Sequence, residues 1–363
     1  MNPVDPAKAR LKTCHLDQLS DHIDGLYLKP DLKFLFFELT LACNERCFHC
    51  GSNCSVPGKD ELSADEFKRI LDQVKEDFDI SRIALNITGG EPLLRKDFFE
   101  IMNHAKEQGF WWGMTSNATL ITKEVSHKLA EAGMRTISVS IDGLPETHDR
   151  LRGMKNAYDL AMKGVQNLID EKAFEAIQIT TVVNHENINE LEQLFDVMKA
   201  IDIDSWRVIN LEPIGRALTH PDMLCTKEDI RTMFEFIRKA RNDGFPVEYD
   251  CSHFLGLDYE VEVRDWYWLC NAGVHTASIM SNGDIGACLD IERNAETVQG
   301  NIRQDRLKDV WEKRFELFRR NKASDCRKCS GCEHSKYCRG DAAHSWNYAK
   351  GEPLVCMKGI LFD

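Results

Sequence analysis

Three cysteines, Cys43, Cys47 and Cys50, fall within eight residues in the run Cys43-Asn44-Glu45-Arg46-Cys47-Phe48-His49-Cys50. Thiolates are soft metal ligands, and a structural zinc site closes with four of them. Three leave a position open unless Cys54 joins. On a four-iron cluster the same three would leave one iron without a protein ligand, where a small molecule can chelate. A second run, Gly89-Gly90-Glu91-Pro92, suits an amino-acid head group. Its glycines admit close backbone approach, Glu91 can accept from an ammonium, and Pro92 fixes the turn without donating a competing hydrogen bond. Seven further cysteines crowd the C-terminal part: Cys270, Cys288, Cys326, Cys329, Cys332, Cys338 and Cys356. Cys14, Cys225 and Cys251 are scattered singles, and such cysteines behave as small buried hydrophobes.

The chain has 363 residues, enough for two to three domains. Against 59 Asp+Glu stand 46 Lys+Arg, a net charge of −13, which argues against a protein that tracks nucleic-acid phosphates. The longest aromatic-aliphatic run, Phe34 to Phe37, is far too short to span a bilayer. Met1 to Gly25 lacks the apolar core of an export signal, so a cytoplasmic location is expected. In that setting thiols stay reduced, and the clustered ones among the 14 cysteines read as metal ligands rather than disulfides.

The segments between the cysteine groups must position them. Strands are expected at Phe34 to Thr40, Ile83 to Thr88, Trp111 to Ser116, Thr136 to Ile141, Ile177 to Val183 and Trp206 to Leu211. Helices with apolar residues at helical spacing are expected at Ala64 to Glu76, Arg95 to Gln108, Thr122 to Glu131, Ala157 to Asp170 and Ile188 to Ile201. This alternation predicts an α/β fold, a partial (β/α)6 TIM-like barrel followed by a small cysteine-rich domain. In parallel barrels the chemistry gathers at the C-terminal rim, and five of the six strand ends are followed by distinctive residues. The cysteine loop, Gly89-Gly90-Glu91-Pro92, Asn117, Asp142-Gly143 and Glu212-Pro213-Ile214-Gly215-Arg216 would converge there. The domain bounds expected are an N-terminal extension over 1–30, the barrel over 31–222, a bridging region over 223–265 and the cysteine-rich domain over 266–363.

The cysteine loop together with Gly89-Gly90-Glu91-Pro92 resembles the signature of radical SAM enzymes. The resemblance implies that Cys43, Cys47 and Cys50 hold a 4Fe-4S cluster whose open iron binds S-adenosyl-L-methionine. It places His49 near the adenine, Gly89, Gly90 and Glu91 at the methionyl amine, and Ser140 and Arg152 at the ribose and carboxylate, with Arg150 as a neighbour of the same character. Arginine suits a carboxylate because its planar fork binds two oxygens. Asn117 and Gly215 match family positions around the ribose and adenine, although both also occur in plain turns.

The tail resembles the SPASM extension, whose cysteines hold auxiliary 4Fe-4S clusters. Cys329, Cys332, Cys338 and Cys356 make a complete set. Cys270 and Cys288 would need Cys326, Asp341, His275 or substrate, because Ala342 stands where the pattern has another cysteine and Cys326 is extra. One or two auxiliary clusters are expected. Trp266, Tyr267 and Trp268 precede Cys270 as a dry wall or a stacking surface, and His104 and His127 fall on helices. No catalytic acid or base is identifiable.

What the family implies is reductive cleavage of S-adenosylmethionine to a 5′-deoxyadenosyl radical, hydrogen abstraction, and oxidation of the substrate with help from the auxiliary clusters. A peptide or protein substrate, cross-linked or dehydrogenated, is the first expectation. The alternative is dehydrogenation or decarboxylation of a small molecule such as a sugar or tetrapyrrole; the remote one is a non-catalytic metal or redox sensor. Implied partners are a single-electron donor such as flavodoxin or ferredoxin and a separate leader-recognition protein, since only about 40 residues precede Cys43.

Overall fold

The computed structural model describes residues 6–250 and 252–362; Cys251, residues 1–5 and residue 363 lie outside the described residues. A helix, α1 (Pro6–Leu28), precedes β1 (Phe34–Glu38). There follow α2 (Ala64–Asp77), β2 (Ala84–Thr88), α3 (Phe98–Gln108), β3 (Trp111–Ser116), α4 (Lys123–Glu131) and β4 (Met134–Ser140). The next elements are α5 (Pro145–Arg152), α6 (Ala157–Glu171), β5 (Ala176–Val183), α7 (Leu191–Lys199), β6 (Ser205–Asn210) and α8 (Lys227–Asn242). Beyond them come β7 (Val247–Glu248), α9 (Gly256–Tyr259), β8 (Thr276–Ile279), β9 (Asp284–Gly286), β10 (Gly300–Asn301), α10 (Leu307–Lys313) and α11 (Ser335–Cys338). Among the described residues no helix is long and apolar enough to cross a membrane.

The six expected strands lie in one sheet in the order β1 to β6, every pair parallel. The sheet continues past both ends. β7 pairs with β6, and β8 runs parallel to β1 with Phe34 opposite Thr276. The cysteine-rich part of the chain is therefore joined to the barrel through backbone hydrogen bonds. These strands are too short for an alternating pattern, and all four residues of β8 are buried, so periodicity does not reveal them.

The helices cover the sheet for ordinary reasons. Ser63 and Glu66 form a capping box at the start of α2, which buries Phe67, Ile70, Leu71 and Val74. Thr226 and Asp229 do the same for α8. Part of the barrel interior is polar. Ser138 meets Thr180 at 2.7 Å, and Arg207 Nε donates to Thr180 at 3.1 Å.

The N-terminal extension is ordered as α1 and holds the tail. Arg339, nearly buried, donates to Asp24 at 2.6 Å and to the Ser20 carbonyl at 2.7 Å, and Lys336 reaches Asp17 at 2.6 Å. A second join is fully buried. His253 lies between Glu212, after β6, at 2.6 Å and Asp341 of the tail at 2.7 Å. Burial alone would pull the imidazole pKa down, but the two carboxylates outweigh it and raise it to about 10.

A raised imidazole pKa gives stability that is whole below the ordinary value of 6.5 and is lost as the pH climbs through about 10. His253→Gln leaves two carboxylates buried without their cation and is expected to cost about 3–5 kcal/mol near neutral pH. In thermal melts the gap between wild type and variant should narrow steadily from pH 6.5 to 10; a gap independent of pH would show that the pair carries no charge.

Candidate active site

The cysteine loop leaves the end of β1 and is pinned from every side. Cys43 N–H donates to the Ser55 carbonyl at 3.2 Å, while Arg46 and Phe48 N–H donate to the carbonyls of Arg152 and Leu151 at 2.9 and 3.0 Å. From after β6, Arg216 donates through its backbone to the Cys50 carbonyl at 3.0 Å, through Nε to the Cys47 carbonyl at 2.7 Å, and through Nη1 to the Cys54 carbonyl at 2.9 Å. Gly215 makes this approach possible. Its φ is +54°, and a Cβ there would lie 2.3 Å from the Cys50 carbonyl oxygen.

Gly89 and Gly90 serve the same loop. Gly90 and Glu91 N–H donate to the Thr40 and Ala42 carbonyls, each at 2.7 Å, and a Cβ on Gly90 would fall 2.0 Å from the Ala42 oxygen. The glycines thus seat the end of β2 against the loop. Glu91 does not line the cavity. It is fully buried and accepts from Ser116 Oγ at 3.0 Å, Asn117 N–H at 2.9 Å and Leu93 N–H at 3.2 Å. Burial pushes its carboxyl up to about 7 despite those donors. The sequence reading of Glu91 as an ammonium acceptor therefore meets a carboxylate already occupied in bracing β2 against β3.

Cys43, Cys47 and Cys50 line one cavity of about 310 Å³, together with His49, Gly89, Gly90, Asn117, Ser140 and Arg152. Asn117 is held by Asn44, its Nδ2 donating at 2.9 Å, and Ser140 closes β4 beside it. Behind the sulfurs lies a dry charge network. Arg152 Nη2 is 2.5 Å from Asp142, its Nη1 lies 3.5 Å from Glu45 and 3.7 Å from Cys47 Sγ, and His49 Nε2 is 3.0 Å from Asp142. Burial would raise the Asp142 carboxyl, but Arg152 and His49 hold it well below the usual range. The Arg152 fork expected to face a ligand carboxylate is thus shared between two protein carboxylates. Arg150 points away to an ion pair with Glu186.

The thiols differ sharply in character. Burial pushes Cys43 up to about 11 and Cys47 higher still. Cys50 is pulled down, chiefly by a hydrogen bond from the Cys54 thiol. Cys54 is buried, its N–H 3.4 Å from the Cys50 sulfur and its own thiol 3.5 Å from the Gly89 carbonyl, and it lines the same cavity as the other three. Among the described residues no three His, Cys, Asp or Glu side chains converge as a single metal ion would need. Three sulfurs around an open cavity, set in a glycine cradle beside a buried guanidinium, fit a broader anionic cluster better than a tetrahedral zinc ion.

In the tail, Cys326 and Cys329 share a hydrogen bond, Cys329 lies within electrostatic reach of Cys332 and Cys356, and Cys338 within reach of Cys356. Cys326 thus lies beside Cys329. Cys270 accepts from Ala343 N–H at 3.3 Å, and Tyr348 lies within electrostatic reach of both Cys270 and Cys288. Asp341 spends its oxygens on His253 and the Phe254 N–H, and His275 Nδ1 meets the Asp31 carbonyl at 2.7 Å. Ala342 is buried with Leu16, Phe254 and Trp268, so Trp268 is wall while Trp266 is exposed. His104 and His127 pair with Asp72 and Glu171 on the helical surface.

Three cavity residues carry no sequence signal of their own: Ser252, Asp290 and His344 come from the bridge and tail to face the cysteine loop. Val182, Ile209, Leu211 and Ile214 give the same cavity an apolar wall.

Comparison with known proteins agrees with this layout. The radical SAM superfamily profile matches residues 37–198, and the SPASM iron-sulfur cluster-binding domain profile matches residues 270–333. The AdoMet-dependent heme synthase of Methanosarcina barkeri is 30% identical over 349 residues, covering 90% of this chain and 97% of the relative. The mycofactocin maturase MftC of Mycolicibacterium smegmatis is 31% identical over 334 residues, covering 90% and 82%. The fold matches that of Streptococcus suis SuiB bound to S-adenosylmethionine with a TM-score of 0.68 at 22% identity, over 85% of this chain and 72% of that one.

Gly215→Ala should push the Arg216 turn off the loop. After anaerobic reconstitution, iron and sulfide per chain are expected to fall by one cluster's complement while the tail keeps its own; unchanged iron would show that the clamp is dispensable. With a matching superfamily profile, a matching cluster-binding tail and a 30% identical relative along nine-tenths of its length, the chain belongs to the radical SAM superfamily and carries a SPASM domain, with the 4Fe-4S clusters and S-adenosylmethionine that these imply.

Proposed function

We propose that this enzyme oxidises an iron porphyrin, and that Cys43, Cys47 and Cys50 hold the S-adenosylmethionine-binding cluster while Cys329, Cys332, Cys338 and Cys356 hold an auxiliary one. With its cluster reduced, the bound cofactor supplies hydrogen-atom abstraction from unactivated carbon. The protein's residues position and exclude. Gly89 and Gly90 keep the rim open next to Cys43, and Asn117 and Ser140 offer polar atoms at the ends of β3 and β4. Arg152, charge-shared with Asp142 and Glu45, offsets the charge gathered at Cys47. Arg150 serves the opposite face of the same helix, so Arg152 is the arginine of this pair that belongs to the site.

The observation that carries the substrate reading is the cavity wall. Val182, Ile209, Leu211 and Ile214 form an apolar surface suited to the face of a flat macrocycle, and His344 adds an imidazole. The relationship to a heme synthase along nearly the whole chain supports the same reading. The reaction class is oxidation of a carboxyethyl arm to the vinyl group that haem carries, in which the arm gives up a hydrogen atom, one electron and carbon dioxide. A peptide substrate is the second reading, supported by the likeness to mycofactocin maturase.

Reconstituted enzyme with S-adenosylmethionine, a low-potential reductant and an iron porphyrin bearing carboxyethyl arms should yield methionine and a porphyrin lighter by carbon dioxide and two hydrogens per arm. Methionine formed with the porphyrin untouched would overturn this reading. Cys43→Ala, Cys47→Ala and Cys50→Ala should each abolish methionine formation while leaving the tail cluster's iron in place.

A further inference from the structure

His344 lies in the tail, next to the cavity that holds the cysteine loop. The segment around it is fixed on both flanks. Ala343 N–H donates to Cys270 Sγ at 3.3 Å, and the Ala343 carbonyl accepts from Tyr348 Oη at 3.0 Å. On the other side Ser345 Oγ donates to Glu212 at 2.9 Å, and the Ser345 carbonyl accepts from Leu354 N–H at 2.8 Å. Between these anchors the His344 side chain is half-buried and lines the cavity.

Of the other histidines bordering the site, His253 spends both ring nitrogens on Glu212 and Asp341, while His49 gives Nε2 to Asp142 and keeps its Nδ1 buried without a partner. His344 makes no hydrogen bond or ion pair among the described residues. Its charged neighbour is Glu212, whose oxygens already serve His253, Asn210 and Ser345. A rigidly mounted side chain that makes no hydrogen bond or ion pair among the described residues, and that lines a cavity with an apolar wall, is suited to meet a ligand. Imidazole nitrogen is the commonest protein donor to metals and a standard proximal ligand of haem iron.

We propose that His344 is the axial ligand to the iron of a bound porphyrin substrate. This rests on the iron-porphyrin reading above. Ligation fixes the macrocycle's plane against the apolar wall and so determines which peripheral arm faces the cysteine loop. It also makes the site selective for the metallated ring, since a metal-free porphyrin has nothing to offer the imidazole.

Reconstituted enzyme is titrated anaerobically with haem and, separately, with metal-free protoporphyrin, followed by visible absorption and by electron paramagnetic resonance of the ferric state. Wild type should bind haem more tightly than the metal-free ring and show an imidazole-ligated spectrum. His344→Ala should lose that spectrum, bind haem at least about tenfold more weakly, keep its affinity for the metal-free ring, and regain the spectrum on addition of free imidazole. His344→Cys should shift it to that of a thiolate ligand. If haem binds and the wild-type and His344→Ala spectra coincide, the ligand assignment is wrong and the substrate reading stands. If neither porphyrin binds, both fall.

Discussion

Three sulfurs on one short loop repel one another once they carry charge, and they can face a common cavity only if the backbone beneath them is held independently of any ligand. Here the holding is done by main-chain carbonyls. The carbonyls of Cys47, Cys50 and Cys54 all point outward into Arg216, and the loop's N–H groups reach carbonyls at the end of α5 and within the loop itself. A guanidinium that spends its donors on carbonyls is a strut that tolerates no retreat, because each carbonyl it leaves would be buried unsatisfied. That is why glycines sit at the two points where other strand ends press on the loop. At Gly90 and Gly215 a single methyl would overlap a carbonyl oxygen.

The second requirement is charge. Cys47 lies in a dry pocket that disfavours its thiolate, next to the buried Glu45. Arg152 is the cation that answers both, and Asp142 in turn anchors Arg152 and orients His49. The network couples the ends of β1 and β4 through α5, so the sheet's register and the electrostatics of the loop are one problem. A loop this constrained does not reorganise when it takes up a cluster; it is ready beforehand, which is the property that a site for a reactive cofactor requires.

Much of this was legible in the sequence, and the rest was hidden for identifiable reasons. The strands from Phe34 to Leu211 and their helices announce themselves by period, and the cysteines by spacing. The glycines at 89 and 90 were visible as close-approach positions, but what approaches is the chain itself. Glu91 and Arg152 were visible as charged residues in the right motifs, while their partners, Ser116, Asn117, Glu45 and Asp142, lie on other strands and follow from topology rather than spacing. α1 lacks a clean apolar stripe, and it is tied down by Leu16 in an apolar cluster with Phe254 and Trp268 and by polar contacts with a tail more than three hundred residues away. His344 sits in a tail segment with no motif around it, so only the fold could place it beside the cysteine loop.

That placement gives the tail a role beyond holding iron. The backbone that carries His344 hydrogen-bonds Cys270 on one side, and through Ser345 it reaches Glu212 at the end of β6 on the other. Asp341, three residues earlier, is tied to His253 and thence to the same Glu212. Where the family pattern would have another cysteine this chain has Ala342, packed against Leu16 and Phe254, and Lys322, buried with its ammonium on the Asp341 carbonyl at 2.8 Å. The local chemistry has thus moved away from a fourth thiolate and toward a stiff hydrogen-bonded wall. A wall of that kind is poorly suited to swinging open and well suited to holding an imidazole at a fixed height over the barrel mouth. The same segment that carries Asp341 and Ala342 beside Cys270 therefore also carries His344 into the lining of the cavity at the cysteine loop.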